Sequence, residues 1–167
     1  MRDDVETPTL AQLAKRVEDL EAVHDLTSLR AEFHRCLNNR EWDALADLFT
    51  GDAHLDYGEY GQAHGTDEVR DYYSRLLEKI RVMRDATAIS LKNFVHGHQV
   101  RVHGDGTASG VCFYEEQIRF NKDSHVFSSV GQFTDEYVRK AGRWYFRKVR
   151  LDHYWVVPEN EGWYWPW

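Results

Sequence analysis

The stretch Glu32-Phe33-His34-Arg35-Cys36-Leu37-Asn38-Asn39-Arg40-Glu41-Trp42-Asp43-Ala44-Leu45-Ala46-Asp47-Leu48-Phe49 decides how the rest of the chain is read. Phe33, Cys36 and Leu37 share one helical face. Asn38-Asn39 interrupts it, and Trp42, Leu45, Leu48 and Phe49 resume the three-four spacing of a buried stripe. The pattern predicts a helix, a break and a second helix, with a polar pair between two apolar faces. The alternating residues C-terminal to it read as a sheet closing over these helices.

Upstream, Thr7-Pro8-Thr9 can start a helix, since proline is tolerated in the first turn, and an N-terminal helix over about 8–30 is expected. Leu10, Leu13, Val17 and Leu20 repeat at three and four residues opposite Lys15, Arg16, Glu18, Asp19 and Glu21. Such a seam packs either on its own domain or on another subunit. The helical pattern then runs through Leu26 and Leu29 to the opening stretch.

Downstream the period changes to two. Ala53, Leu55 and Tyr57 alternate with His54 and Asp56, which predicts a short strand, and Gly58, Gly61 and Gly65 mark turns. Thr66-Asp67-Glu68 starts a helix with acids at the positive end of its dipole, and Val69, Tyr72, Tyr73, Leu76 and Ile80 line one face. From Ile89 onward the chain reads as strands. Ile89, Leu91, Asn93 and Val95 share a face, Gly97 marks a bulge, and Gly104-Asp105-Gly106 turns into Cys112, Tyr114, Glu116, Ile118 and Phe120. Val126–Arg139 and Trp144–Trp155, joined at Ala141-Gly142, complete the set. The expected fold is therefore α+β, a cone-shaped barrel of curved antiparallel sheet wrapped around N-terminal helices, with a cavity in its interior. The 167 residues fit one domain, 1–167, ending in an aromatic tail over 158–167.

Composition excludes several classes. A 42% apolar, 14% aromatic chain is not disordered, and it contains no apolar run of the roughly 18–20 residues that a membrane span needs. A formal charge of −7 with scattered arginines and lysines disfavours nucleic acid as a partner. The opening Met1-Arg2-Asp3-Asp4-Val5-Glu6 lacks the apolar core of a signal peptide, so a cytoplasmic location is expected. Cys36 and Cys112 read as small hydrophobes rather than a disulfide framework.

Arg35-Cys36-Leu37-Asn38 with Trp42-Asp43 and Leu45, then Gly65 with Asp67-Glu68-Val69, Gly106 with Ala108, and Gly142-Arg143-Trp144-Tyr145-Phe146 occur in an order that resembles the SnoaL-like branch of the nuclear-transport-factor-two-like superfamily. Within it, the chain resembles the bile-acid 7-alpha-dehydratase and scytalone dehydratase group over about residues 10–157. The resemblance implies a conical pocket for a hydrophobic, often aromatic, small molecule, proton-transfer chemistry without a metal or organic cofactor, and homodimers or homotrimers. It also implies an aspartate–histidine dyad, but the matching positions hold Asn38 and Asn93. Neither is a general base near neutral pH, although both can orient a substrate. The family's pocket tyrosine matches Tyr57, a pocket carboxylate matches Glu116, and a pocket arginine falls near His153.

Read from the residues, Glu116 is the one charged group on the apolar face of Cys112, Tyr114, Ile118 and Phe120, hence either a salt-bridge partner or a tuned acid or base. Tyr57 can bind an oxygen or pass a proton. His96 and His98 form a His-x-His pair, which is a legitimate metal spacing, although His96 entering the pocket as a displaced base is preferred and no metal site is assigned. His153 alternates with inward Val149 and Leu151 and can complete an acid–base pair with Glu116. The expected catalytic set is Tyr57, Glu116, His96 and His153, and the expected substrate-binding set is Asn38, Asn93, Phe33, Tyr114 and Trp155. Together with the resemblance, these point to a cofactor-independent lyase acting on a hydrophobic aromatic molecule by dehydration or retro-aldol cleavage, with non-catalytic aromatic binding or polyketide-type cyclisation as alternatives.

Overall fold

A computed structural model describes residues 7–83, 85–121 and 126–158. Helix α1 (Leu10–Asn39) opens on a capping box, in which the Thr9 hydroxyl accepts from the Gln12 N–H and the Gln12 side chain accepts from the Thr9 N–H. It runs without interruption to Asn39 and stops at Arg40, whose N–H donates to the Leu37 carbonyl and whose left-handed φ of 62° brings the next N–H, that of Glu41, to the Cys36 carbonyl at 2.9 Å. The expected break thus falls one residue later, and the N-terminal helix extends nine residues beyond its predicted end. Helix α2 (Trp42–Ala46) is a single short turn, because Phe49 already belongs to strand β1 (Phe49–Asp56).

A 3₁₀ turn (Gly58–Tyr60) and a three-residue strand β2 (Gln62–His64) precede α3 (Gly65–Met83). Four long strands complete the chain: β3 (Ile89–Val102), β4 (Thr107–Phe120), β5 (Val126–Lys140) and β6 (Arg143–Pro158). The β5–β6 hairpin turns on Ala141 and Gly142, both at positive φ (49° and 81°), the pair of left-handed residues that a two-residue hairpin requires.

The six strands lie in the order β2-β1-β6-β5-β4-β3. Two parts of the expectation are corrected here. The sheet is mixed, because β1 runs parallel to β6, and it is open rather than a closed barrel, with β2 and β3 at its edges. Bulges interrupt the register at His96/Gln99, Val130/Gly131 and Glu136/Tyr137 and bend the long strands. The concave face receives α1 and α3. Leu26, Phe33 and Cys36 of α1, Val69 and Tyr73 of α3, and Phe133, Tyr137, Phe146 and Val149 of the sheet form the core.

Within that core lies an ion pair that sequence reasoning misses. Arg30 and Asp135 are both fully buried and joined, Tyr137 donates its hydroxyl to Asp135 Oδ2 at 2.7 Å, and the Arg30 guanidinium lies 4.8, 4.4 and 4.7 Å from the ring centres of Phe33, Phe133 and Phe146. Both charges keep the inward periodicities, Arg30 in the stripe Leu26-Leu29-Arg30-Phe33 and Asp135 between Phe133 and Tyr137. That phase is the available signal. Beyond Pro158, the aromatic tail expected over 158–167 lies outside the described residues.

Candidate active site

Near the end of the core, α3 and the concave sheet diverge around a cavity of about 460 Å³. Tyr72, Tyr73, Leu76 and Ile80 of α3 form one wall, and Leu91, Ile118, Phe120 and Phe127 form the apolar end of the other. The 3₁₀ turn lies at the rim, tied to α3 by the Tyr72 hydroxyl, which donates to the Tyr60 carbonyl at 3.2 Å.

Cross-strand register explains how polar groups meet in this wall. Asn93 pairs with Glu116, and Glu116 pairs with Ser129, so three polar side chains form one row across β3, β4 and β5. The rows on either side are Leu91–Ile118–Phe127 and Val95–Tyr114–Gly131–His153. All three members of the polar row line the cavity. Asn93 and Ser129 are buried, and among the described residues neither the Asn93 amide nor the Ser129 hydroxyl completes a well-formed hydrogen bond. Buried polar groups left incompletely paired cost about 1–3 kcal/mol each, which sets this row apart from the apolar rows on either side.

Glu116 stands between them. It is half-buried, its carboxyl enclosed by the cavity wall, and among the described residues no cation forms an ion pair with it. Desolvation pushes its pKa up to about 7 against the smaller opposing pull of the nearby Tyr114 hydroxyl and Asn93 amide. At neutral pH the carboxyl is therefore divided between acid and base, the condition under which one group both takes and returns a proton.

His153 lies in the neighbouring row, half-buried, with its ring 4.6 Å from Tyr60 and 5.9 Å from Tyr114. Desolvation lowers its pKa, partly offset by Glu59 and Asp152, which favours the neutral ring. Gly131 lets Tyr114 reach it: the row has no side chain between them, and a Cβ at Gly131 would stand 2.5 Å from the Asp152 carbonyl. Tyr57 lines the inner end, buried, its hydroxyl bonded to that of Tyr73, and burial pushes its pKa far upward. It remains a neutral phenol, a hydrogen-bond donor rather than a base.

Of the nine residues expected from sequence, Tyr57, Asn93, Tyr114, Glu116 and His153 line the cavity together. The other four do not, each for a definite reason. His96 is exposed on the outer face beside Glu115 at 3.5 Å, because the Gly97 bulge changes the inward positions from Asn93 and Val95 to His98, Val100 and Val102. His98 turns inward to the Tyr137 hydroxyl at 3.1 Å, so the His-x-His pair is divided between two faces and does not converge on a metal. Phe33 is fully buried among Phe49, Tyr73, Phe133 and Phe146. Trp155 is register partner to Val130, outside the lining. Asn38 also faces away from the cavity, both ends of its amide bound to the backbone of Asn93.

Ser129 is the member of the row that sequence reasoning misses. Only pairing β4 with β5 in register finds it, since nothing in its own neighbourhood marks it.

The fold and the sequence agree with known proteins. Solved structures superpose on most of this chain at low identity. The hexachlorocyclohexane dehydrochlorinase LinA-type3 from Novosphingobium barchaimii matches with TM-score 0.74 at 14% identity, covering 90% of this chain and 99% of its own. ActVI-ORFA from Streptomyces coelicolor matches with TM-score 0.65 at 16% identity, covering 80% and 98%. A protein from Novosphingobium aromaticivorans, named as a candidate scytalone dehydratase, matches with TM-score 0.71 at 16% identity, covering 83% and 88%. At these identities the likeness is one of fold. The family model of the SnoaL-like domain matches residues 16–150, and the chain belongs to that family.

Proposed function

We propose that this cavity is the active site of a cofactor-independent lyase that acts by proton transfer on a hydrophobic aromatic small molecule, in the cytoplasm and as a homo-oligomer. One observation carries the reading: a carboxyl poised near neutrality between two buried polar side chains that make no well-formed hydrogen bond among the described residues, in a wall otherwise largely apolar and aromatic. Asn93 and Ser129 hold the substrate's hydroxyl or carbonyl oxygen, and the tyrosines and Phe133 pack against its rings.

Because the row contains a single titratable group, the simplest elimination uses it twice. The Glu116 carboxylate removes a proton from carbon, the C–H electrons form a C=C bond, the adjacent C–O bond breaks, and the departing oxygen takes the proton back from Glu116 and leaves as water. Such a step is a syn elimination. A retro-aldol variant begins with Glu116 taking the proton of a hydroxyl; the O–H electrons form a carbonyl, the neighbouring C–C bond breaks, and the proton returns to the carbon left behind. Release of formaldehyde from a lignin-derived diaryl propanoid is a reaction of this kind.

Supplying purified chain with aromatic alcohols, diols and diaryl propanoids and monitoring products by chromatography tests the proposal. Conversion that disappears in Glu116→Gln while the variant still gains heat resistance from the same compound is expected. Compounds that protect the protein but are never converted would leave a binding protein instead, and ring-closed products would mark a cyclase.

A further inference from the structure

The first half of α1 carries a second apolar stripe that neither the core nor the cavity uses. Leu10, Leu13, Val17 and Leu20 are 84%, 42%, 52% and 69% exposed. At about 100° per residue these four fall in one sector about 80° wide. Ala22, Leu26, Leu29 and Phe33, the buried stripe of the same helix, are centred on the opposite side. A continuous helix docked through one stripe turns the other away from its own domain. The exposed stripe is therefore not an early turn of the core packing, and it needs a different partner.

Its spacing identifies the kind of partner. The 3-4-3 repeat places Leu10 and Val17 at a positions and Leu13 and Leu20 at d positions of a heptad, with exposed His24 at the next a. Of the a positions Val17 carries the β-branched side chain that, with leucine at d, favours two parallel strands. The flanks agree: exposed Arg16 at g and exposed Glu21 at the next e face each other, with opposite charge, across a parallel pair. In an antiparallel pair g faces g and e faces e, and that match is lost.

We propose that this seam pairs in parallel with the same seam of a second copy of the chain, as a short two-stranded coiled coil. Because the core stripe is on the far side of α1, the two domains lie outward and their cavities stay open. Two heptads are fewer than the three to four that sustain an isolated coiled coil. Here the second half of α1, docked on the sheet, holds the helix ready for pairing.

The test uses the full chain. Cys36 and Cys112 are buried, so Val17→Cys adds an accessible thiol where the two helices face each other across the axis. A short bis-maleimide is expected to link the variant into dimers. In sedimentation velocity at micromolar concentration, Leu13→Glu with Leu20→Glu is expected to halve the mass with helix content unchanged by circular dichroism. Arg16→Glu is expected to weaken association about tenfold, and Arg16→Glu with Glu21→Arg to restore it. A mass unaffected by the leucine substitutions overturns the proposal, as does a wild-type chain that is already monomeric. Loss of mass without cross-linking at the Val17→Cys thiol overturns the parallel arrangement.

Discussion

The Asn38 side chain grips both backbone polar groups of one residue of the edge strand: its Nδ2 donates to the Asn93 carbonyl at 2.8 Å and its Oδ1 accepts the Asn93 N–H at 2.7 Å. Helix α1 thereby supplies the hydrogen bonds that a further strand would supply, at the residue whose side chain enters the polar row. Lys92 adds a bond to the Asn38 carbonyl at 2.8 Å, and Arg40 one to the Ile89 carbonyl at 2.9 Å. Asn38→Asp places an acceptor against the Asn93 carbonyl and is expected to cost about 2–3 kcal/mol in chemical denaturation. An unchanged midpoint would show that β3 does not depend on this clamp. Placing an aspartate here is thus expected to weaken the wall rather than to create a catalytic dyad.

Glu116→Gln is expected to lower turnover of a confirmed substrate by about 10²–10⁴-fold. It is also expected to stabilise the protein above pH 7. A carboxyl whose folded pKa is about 7 against an ordinary 4.5 binds more protons in the folded state between those values, so its contribution to stability falls as pH rises through that window. Removing it recovers on the order of 2–3 kcal/mol at pH 8. Denaturation midpoints at pH 5 and pH 8 check this: the variant's advantage should be small at pH 5 and nearly complete at pH 8.

In the wild type, kcat/KM for the elimination is expected to rise with pH to a half-maximum near 7, as Glu116 becomes the base. A pH–rate profile flat from 5 to 8 would separate Glu116 from the proton-transfer step.

Arg30→Met leaves Asp135 buried without its counter-charge and is expected to cost about 3–5 kcal/mol. Arg30→Met combined with Asp135→Leu removes both charges and is expected to recover most of that loss. A double variant no more stable than the single one would mean that the Tyr137 hydrogen bond to Asp135, rather than the ion pair, dominates the site.

Acid is expected to destabilise the fold through His34. Burial, reinforced by the Arg30 charge, lowers its pKa to about 3. Between pH 6.5 and 3 the unfolded chain takes up a proton that the folded chain refuses, so stability falls by about 1.4 kcal/mol per pH unit from this residue as pH drops. His34→Gln should flatten the acid limb of the stability–pH curve by about one proton's slope.

The alternation of apolar residues is enough to indicate the order of helices and strands, the cavity and the isolation of Glu116, because each depends on local periodicity. The features that escape it depend on register. Ser129 gains its meaning from lying opposite Glu116, Arg30 from reaching Asp135 105 residues away, and the parallel β1–β6 pairing from a long-range return of the chain. The apolar stripe beginning at Leu10 looks continuous with the one through Leu26 because both keep three-four spacing. Only their angular relation separates them. His96 is misplaced for a related reason: Gly97 is legible as a bulge, but the change of phase it causes becomes evident only against the residues of β4.

That single extra residue divides β3 into two reading frames. On one side of Gly97 odd-numbered residues face the cavity side; on the other, even-numbered residues face the core. Substitutions can alter a side chain in its place, but in a strand of this kind a one-residue insertion or deletion exchanges the whole inward and outward sets beyond it. The repertoire of groups available to the cavity is therefore set by strand length as much as by residue identity, and a protein of this architecture can acquire a new inward histidine without mutating any residue to histidine.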